Sequence, residues 1–153
     1  MRLEVRDVRK VFHSRGQVIV ALERINLSVK TGEFVCLIGP SGCGKSTLLN
    51  MLAGLESPSE GGVYAAGQLI RGTDSSRVLI FQEAALFPWL TVQANVEFGL
   101  KMQGASPATR ERTATQLLHM VHLDQFRHAW VHELSGGMKQ RVALARALAV
   151  DPA

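Results

Sequence analysis

The order of apolar and polar positions divides the chain into a strand-rich first part and a helix-rich second part. LEVRDV at residues 3–8 and QVIVAL at residues 17–22 are rich in β-branched residues and partly alternate with polar ones, which predicts two strands. SRG at residues 14–16 predicts the turn between them. INLSV at residues 25–29 predicts a further short strand, so the chain begins with a group of β segments.

A strand, a glycine-rich loop and a helix follow in close succession. EFVCLI at residues 33–38 is a continuous apolar run, typical of a strand that is buried on both faces. After the loop, STLLNMLAGL at residues 46–55 predicts a helix that ends near Gly54. GVYAAGQLI at residues 62–70 and RVLIF at residues 77–81 are further strand candidates.

From Thr91 onward the pattern favours helices. Thr91 is the first residue of TVQANVEFGL and can cap the helix that this run predicts. Ser106 followed by Pro107 combines a cap with a first-turn proline and opens a second helix. A third helix is predicted after Ser135. Helical spacing places these apolar residues on one side of the second and third helices: Ala114, Leu117, Leu118 and Val121, then Met138, Val142, Ala145 and Leu148 or Ala149.

Composition and charge change this picture little. The chain has 153 residues, 46% hydrophobic and 20% charged, as expected for one globular domain. The formal net charge is +4, but basic residues form no long run and no aromatic residues alternate with them, so no nucleic-acid partner is expected. No apolar run approaches the roughly 18 residues of a membrane span. These features predict a soluble cytoplasmic protein with Cys36 and Cys43 as reduced thiols.

The loop after EFVCLI carries the first candidate chemistry. GPSGCGKS at residues 39–46 matches G-x-x-x-x-G-K-[ST] without a gap. Backbone N–H groups of such a loop converge on a polyphosphate, which requires conformations that glycine tolerates best. Lys45 would place its charge against the β and γ phosphates, and Ser46 would offer a hydroxyl to Mg²⁺, at the positive end of the following helix. The alternative is a glycine turn with an incidental Lys-Ser pair.

The end of the predicted strand at residues 78–81 carries a second candidate. A phosphate site of this kind also needs a carboxylate for Mg²⁺ and a group that orients the attacking water. Gln82 follows the strand and Glu83 comes only after it, so a carboxylate does not occupy this strand end. We interpret Gln82 as a γ-phosphate sensor at a hinge, since its amide oxygen can contact Mg²⁺ or a water. The alternative is an ordinary polar residue at a strand end.

Three motifs, in this order and at these separations, resemble the nucleotide-binding domain of ABC transporters: GPSGCGKST, then FQE after an apolar strand, then LSGGMKQRVALARAL. The resemblance covers essentially the whole chain. It implies an α/β fold with a P-loop NTPase core of the ABC type, an N-terminal antiparallel β subdomain and an inserted helical subdomain. Residues 1–83 and 134–153 would form the ATP-binding core with the β subdomain, and residues 84–133 would form the helical subdomain.

The resemblance also implies a head-to-tail dimer, with a second copy of this chain as the partner subunit. ATP on the phosphate loop of one subunit would be covered by the LSGG loop of the other. Ser135, Gly136 and Gly137 would then hold the partner's γ-phosphate through a hydroxyl, backbone N–H groups and the helix dipole. The simpler alternative is that Ser135 only caps its own helix.

Other residues carry over from the family one at a time. Phe12 resembles the aromatic residue that stacks on adenine, although Tyr is commoner there and Phe12 could equally be core. Val20 resembles the apolar residue beside it. The family makes Lys45 and Gln82 the catalytic residues, and Ser46 and Gln82 the contacts to Mg²⁺. The full set implied to bind ATP is Phe12, Val20, Gly39, Pro40, Ser41, Gly42, Cys43, Gly44, Lys45, Ser46, Thr47, Gln82, Ser135, Gly136 and Gly137.

EAALFPWLTV at residues 83–92 resembles importers of the nitrate, sulfonate and taurine group. Phe87 and Trp89 would then lie near the groove that receives a helix of the membrane permease, with Trp89 as ordinary core the alternative. The partners implied are transmembrane permease subunits and, indirectly, an extracytoplasmic solute-binding protein. The chain would lie at the cytoplasmic face of the inner membrane. The solute does not touch this subunit, so its identity rests on analogy alone.

The chain ends at VDPA, residues 150–153, where the family continues with an apolar strand ending in Asp and Glu. The Asp holds Mg²⁺ and the Glu polarises water, so we expect an N-terminal fragment, lacking the C-terminal part of the core, that hydrolyses ATP very poorly or not at all. EFVCLI and VLIF would then lose strand neighbours and expose apolar surface. We expect marginal stability, and a cooperative melt of the monomer above about 50 °C would contradict this.

Other functions stay open on the residues alone. A soluble ABC ATPase acting on nucleic acid would share the motifs, but FPWLTV and the absence of basic arms argue against it. A nucleotide-binding module without turnover would bind ATP and release no phosphate. A non-enzymatic interaction protein that keeps the fold would have no nucleotide affinity.

Overall fold

The structure is a computed structural model that describes residues 1–14 and 16–152. These residues form two compact units, one from Met1 to Leu79 and one from Ile80 to Pro152. None of the helices within the described residues has both the length and the apolar content needed to cross a membrane.

The first unit is built on a four-stranded antiparallel sheet. Its strands are β1 (Leu3–Ser14), β2 (Gln17–Val29), β3 (Glu60–Ala65) and β4 (Gln68–Leu69), in the spatial order β2-β1-β3-β4. The two predicted strands at 17–22 and 25–29 are one continuous strand, because register shifts in the pairing of β1 with β2 absorb the interruption between them. Part of the predicted turn at 14–16 lies outside the described residues, since Arg15 is not among them.

A single helix packs against this sheet. Helix α1 (Lys45–Ala53) ends at Gly54, as predicted, and Gly54 has a positive φ of 80°. A Cβ on Gly54 would lie 2.0 Å from the carbonyl oxygen of Gly72, so the close approach of these segments requires glycine. The core between sheet and helix consists of Val5, Val8, Leu22, Leu48, Met51 and Val63.

The apolar runs EFVCLI and RVLIF do not form strands, and this part of the prediction was wrong. Within the described residues neither run takes part in a strand pairing, and a strand is maintained by hydrogen bonds to a neighbouring strand. The expected exposure of apolar surface is confirmed: Phe34 is 90% exposed and Ile38 is 94% exposed. Phe81, in the other run, is 49% exposed. Their residue types favour a buried strand, but within the described residues no neighbouring strand forms hydrogen bonds with these runs.

The second unit consists of three helices, α2 (Val92–Met102), α3 (Pro107–Met120) and α4 (Gly136–Ala149). The predicted caps at Thr91 and Ser106 are confirmed, because each hydroxyl accepts a hydrogen bond from a first-turn N–H group. The Ser135 hydroxyl also caps its own helix, as the simpler alternative for that residue expected. Short 3₁₀ turns at Asp124–Phe126 and Val131–Glu133 connect α3 to α4.

All three helices share one core. The fully buried side chains of this core include Val92, Val96, Ala114, Leu118, Leu123, Val142 and Ala145. Helix α4 therefore packs with α2 and α3 inside the second unit. The predicted assignment of residues 134–153 to an ATP-binding core, with residues 84–133 as a separate helical subdomain, stays a prediction.

Candidate functional site

The predicted phosphate loop runs directly into the N-terminus of α1. Gly44 caps the helix with a left-handed φ of 92°, and among the described residues no side chain caps its first turn. A Cβ on Gly44 would lie 2.6 Å from the Ala21 carbonyl oxygen and 2.6 Å from the Leu22 side chain, so only glycine fits against β2 here. The first N–H groups of the helix are thus left for another acceptor, which is the usual arrangement of an anion site.

The Lys45 ammonium points back into the loop. It donates hydrogen bonds to the carbonyl oxygens of Gly39, at 2.8 Å, and Pro40, at 2.7 Å, and lies 3.4 Å from the Cys43 sulfur. The charge is therefore concentrated inside the loop, at the helix end that already favours anions.

The other loop residues are mostly open to solvent. Ser41, Gly42, Cys43 and Ser46 are exposed, while Thr47 is half-buried. Gly42 has a φ of 80° and a Cβ placed there would meet nothing within 4 Å. The backbone conformation explains glycine at position 42, and the surrounding space leaves room for a ligand.

Phe12 and Val20 lie on the same hairpin but do not share a face. Phe12 pairs with Ile19 and Val20 pairs with Val11, and neighbouring positions along a strand point to opposite faces. The Phe12 ring is 37% exposed, and the Lys10 ammonium lies 4.8 Å from its centroid. The structure thus brings Ile19, rather than Val20, beside the aromatic ring.

The LSGG loop forms the start of α4. The Ser135 hydroxyl accepts a hydrogen bond from the Met138 N–H at 3.3 Å. Gly136 and Gly137 follow it, both exposed, and a Cβ at either position would meet nothing within 4 Å. Neither has the positive φ that would require glycine. The packing and backbone of the chain itself therefore give no reason for these two glycines.

Gln82 belongs to a segment that is attached to α4. Its carbonyl oxygen accepts a hydrogen bond from the side-chain amide of Gln140. The Gln82 residue is exposed, so its own side-chain amide is open to solvent. The predicted γ-phosphate sensor is thus held through its backbone carbonyl, and the residue is exposed.

Arg146 holds the residues that follow Gln82. Its Nη1 donates to the Ala85 carbonyl at 2.8 Å and its Nη2 donates to the Ala84 carbonyl at 3.2 Å. The guanidinium carbon lies 5.5 Å from the centroid of the Phe87 ring. Burial lowers the pKa of the Arg146 guanidinium, although arginine stays charged in proteins.

Asn95 is the one buried polar residue in the described part of the chain, and it binds the backbone of residues 87–91. Its amide nitrogen donates to the carbonyls of Phe87, Leu90 and Thr91, and its oxygen accepts from the Phe87 N–H at 2.8 Å. Sequence reasoning assigned no role to Gln140, Arg146 or Asn95. The available signal was a polar side chain that interrupts an apolar helix face, as Asn95 and Arg146 both do.

A surface depression of about 230 Å³ opens beside this stretch. Aromatic and charged side chains share its wall, and the Arg110 Nε lies 3.8 Å from the Glu97 carboxylate. The depression is lined by Trp89, Leu90, Ala94, Glu97, Phe98, Lys101 and Arg110. Trp89 is 69% exposed, so the alternative interpretation of Trp89 as ordinary core does not hold.

Comparison with known sequences places these features in a family. A family profile described as ABC transporter matches residues 22–153. The nitrate import ATP-binding protein NrtD of Synechocystis sp. is 51% identical over 152 residues, which are 99% of this chain and 57% of that protein. The taurine import ATP-binding protein TauB of Burkholderia pseudomallei is 46% identical over 151 residues, 99% of this chain and 58% of that protein. The chain thus spans about 57% of the length of the curated relatives that it matches.

Solved structures give the same result. The fold is similar to a dimeric structure of the ATP-binding cassette MJ0796 in a post-hydrolysis state bound to ADP and Pi, with a TM-score of 0.90 and 37% identity. The match covers 98% of this chain and 70% of that one. A second dimeric structure of MJ0796, described as a bacterial ABC transporter cassette, gives a TM-score of 0.91.

Proposed function

The chain belongs to the ABC transporter family, and from that premise we propose that it is the ATP-binding part of an importer subunit. In this proposal, ATP binding and hydrolysis in a head-to-tail dimer drive solute transport by a membrane permease. Proteins of this family bind ATP. The phosphates would bind at residues 39–47, where an uncapped helix start and the Lys45 ammonium converge.

The main support for the proposed dimer is the pair of glycines Gly136 and Gly137. Both are exposed, neither has a positive φ, and the chain leaves open space around them. A ligand that must approach the backbone closely accounts for glycine at such positions. We propose that this ligand is the γ-phosphate of ATP bound to the partner subunit, held also by Ser135 and by the N-terminus of α4.

The catalytic roles follow from side-chain chemistry. Lys45 would neutralise charge on the β and γ phosphates, and the Ser46 hydroxyl would contact Mg²⁺. The exposed amide of Gln82 would sense the γ-phosphate and contact Mg²⁺ or the attacking water. Phe12 is open enough for adenine to stack on its ring, with Ile19 on the same face, whereas a contact from Val20 would have to come from the other face.

The names of relatives suggest the transported solute. Two are nitrate and taurine import proteins, so we propose a small anion of this kind as the solute. A permease helix at the cytoplasmic membrane face would dock beside Phe87 and Trp89, where the depression combines exposed aromatic surface with the Glu97 and Arg110 charges. A solute-binding protein outside the membrane would act on the subunit only through the permease.

Nucleotide binding and turnover on one sample test the proposal. We expect the purified gene product to bind Mg·ATP, and Lys45→Ala to weaken binding at least about tenfold because the phosphate charge loses its counter-ion. Lys30→Ala is the matched control, since Lys30 is an exposed lysine of the first unit that lies outside the loop. Equal affinity of the two variants would contradict the proposed site. Phosphate release that Lys45→Ala abolishes would identify an ATPase. ATP binding without phosphate release would identify a nucleotide-binding module.

A further inference from the structure

We propose that Arg146 is a positioning residue that holds the backbone after Gln82 against α4, so that Gln82 and the LSGG loop move as one piece. The proposal rests on the proposed function, in which both elements respond to a γ-phosphate. It adds a residue to which neither motif assigns a role.

The first step is the geometry of the guanidinium. One side chain binds two successive carbonyls, of Ala84 and Ala85, and also lies over the ring of Phe87. Ala85 has a left-handed φ of 44°, which turns the backbone sharply at this point. A planar fork with several fixed donors suits two neighbouring carbonyls, and a lysine ammonium does not reproduce that geometry.

The second step is that α4 holds the same segment at another place. The Gln140 amide donates to the carbonyl of Gln82, six positions before Arg146 on the helix. At a rise of 1.5 Å per residue these anchors are about 9 Å apart along the helix axis. Two anchors separated along one rigid element resist both sliding and rotation of the segment.

The third step is continuity beyond Phe87. Asn95, fully buried on α2, binds the backbone of Phe87, Leu90 and Thr91. Helices α2 and α4 share one core, in which Val96 and Val142 are both fully buried. The backbone from residue 82 to residue 91 is therefore tied to the helix that begins with the LSGG loop. A displacement of Gln82 would therefore be transmitted to the LSGG loop through the hydrogen bonds of Arg146 and Gln140.

Hydrogen exchange without nucleotide tests the link directly. Because the Phe87 N–H is bonded to Asn95, its exchange reports loosening of the segment. We expect Arg146→Met and Arg146→Lys to accelerate it about tenfold or more, since two charge-assisted bonds are lost or replaced by one. The control is Arg141→Met. Arg141 is also on α4 and also binds a backbone carbonyl, that of Val121 at 2.8 Å. The Arg141→Met variant should leave the exchange rate of the Phe87 amide unchanged.

The functional readout separates positioning from general stability. In the entire gene product we expect Arg146→Lys to lower kcat about tenfold with KM for ATP little changed, while Arg141→Met keeps kcat. Arg146→Met should lower kcat further than Arg146→Lys does. Unchanged exchange at Phe87, acceleration spread evenly over the unit, or a normal kcat despite a loosened segment would each overturn the proposal. Failure of the parent protein to bind ATP would refute the proposed function instead, and the exchange experiment would still decide the role of Arg146.

Discussion

Glycines stand at two helix starts in different structural settings. Gly44 has a left-handed backbone and lies against the Ala21 carbonyl, whereas Gly136 has ordinary backbone angles and open space around it. We therefore expect Gly44→Ala to lower the free energy of unfolding by about 2 kcal/mol or more, from backbone strain and overlap. Gly136→Ala should leave it unchanged or raise it by about 0.5 kcal/mol, because alanine favours helix.

The same Gly136→Ala variant should be defective in ATP-driven dimerisation. The added methyl group would occupy the space that the proposal gives to the partner's γ-phosphate. Urea unfolding measures the first quantity, and light scattering with and without ATP measures the second. A Gly136→Ala protein that dimerises normally would show that the space around this glycine is not used by a phosphate.

At the scale of single elements, the cap of α3 offers a stability test. The Ser106 hydroxyl accepts a hydrogen bond from the Thr109 N–H at 3.2 Å. Removing it in Ser106→Ala should cost about 1 kcal/mol, since an orphan N–H group loses its partner. Thr115→Ala, at an exposed interior position of the same helix, should instead stabilise by about 0.5 kcal/mol through helix propensity. Urea midpoints of the two variants should thus move in opposite directions, and shifts of the same sign would contradict this account of the cap.

An ion pair ties β1 to the segment after α1 and makes stability depend on pH. The Lys10 ammonium donates to the Glu56 carboxylate at 2.6 Å, and this hydrogen bond holds the pKa of Glu56 below its ordinary value of 4.5. A lowered pKa in the folded state stabilises the protein above the unfolded pKa, and the contribution is lost as pH falls through the folded pKa. The Lys10 side chain is only 12% exposed, so salt should screen the pair incompletely.

We therefore expect Glu56→Gln to be less stable than the parent at neutral pH, with the difference shrinking as pH falls below 4.5. The measurement is urea unfolding at pH 7 and at about pH 3. Glu111→Gln is the control, since Glu111 is exposed on α3 and forms no ion pair within the described residues. A difference that stays constant with pH would mean that the pair does not form in solution.

Local signals were sufficient for the helices. Caps at Thr91, Ser106 and Ser135 and the glycine at position 54 fixed helix ends correctly, because these residues act on groups a few positions away. The predicted ABC-type α/β fold is confirmed by solved cassettes at a TM-score of 0.90. The fold prediction depended on the order of the three motifs, which can be seen in the sequence alone.

The sequence could not reveal features that depend on distant partners. Arg146 binds carbonyls 61 and 62 positions away, and Gln140 binds one that is 58 positions away. EFVCLI has the composition of a buried strand, but a strand also requires a neighbour, and none pairs with it in the described residues. The faces of Phe12 and Val20 were likewise set by hairpin register, which depends on β-bulges that composition does not indicate.

At the scale of the whole molecule, the sharpest anomaly is apolar surface exposed to solvent. Phe34 and Ile38 are among the most exposed large apolar side chains described, at 90% and 94%. Exposed large apolar side chains promote association, since their burial against another surface is favourable. The chain's behaviour in solution should therefore depend on these two side chains more than on its ordinary surface positions.

We expect the double variant Phe34→Gln/Ile38→Gln to bind less of a hydrophobic dye such as ANS, and to associate less at high protein concentration. Its free energy of unfolding should change by less than about 0.5 kcal/mol, because side chains that are already exposed lose no burial. Leu118→Ala, at a position that is 1% exposed in the helical core, should by contrast cost about 2–5 kcal/mol. Equilibrium unfolding with dye titration of the three proteins measures both effects. If the double variant lost as much stability as Leu118→Ala, residues 34 and 38 would have to be buried in solution, which means that another surface covers them.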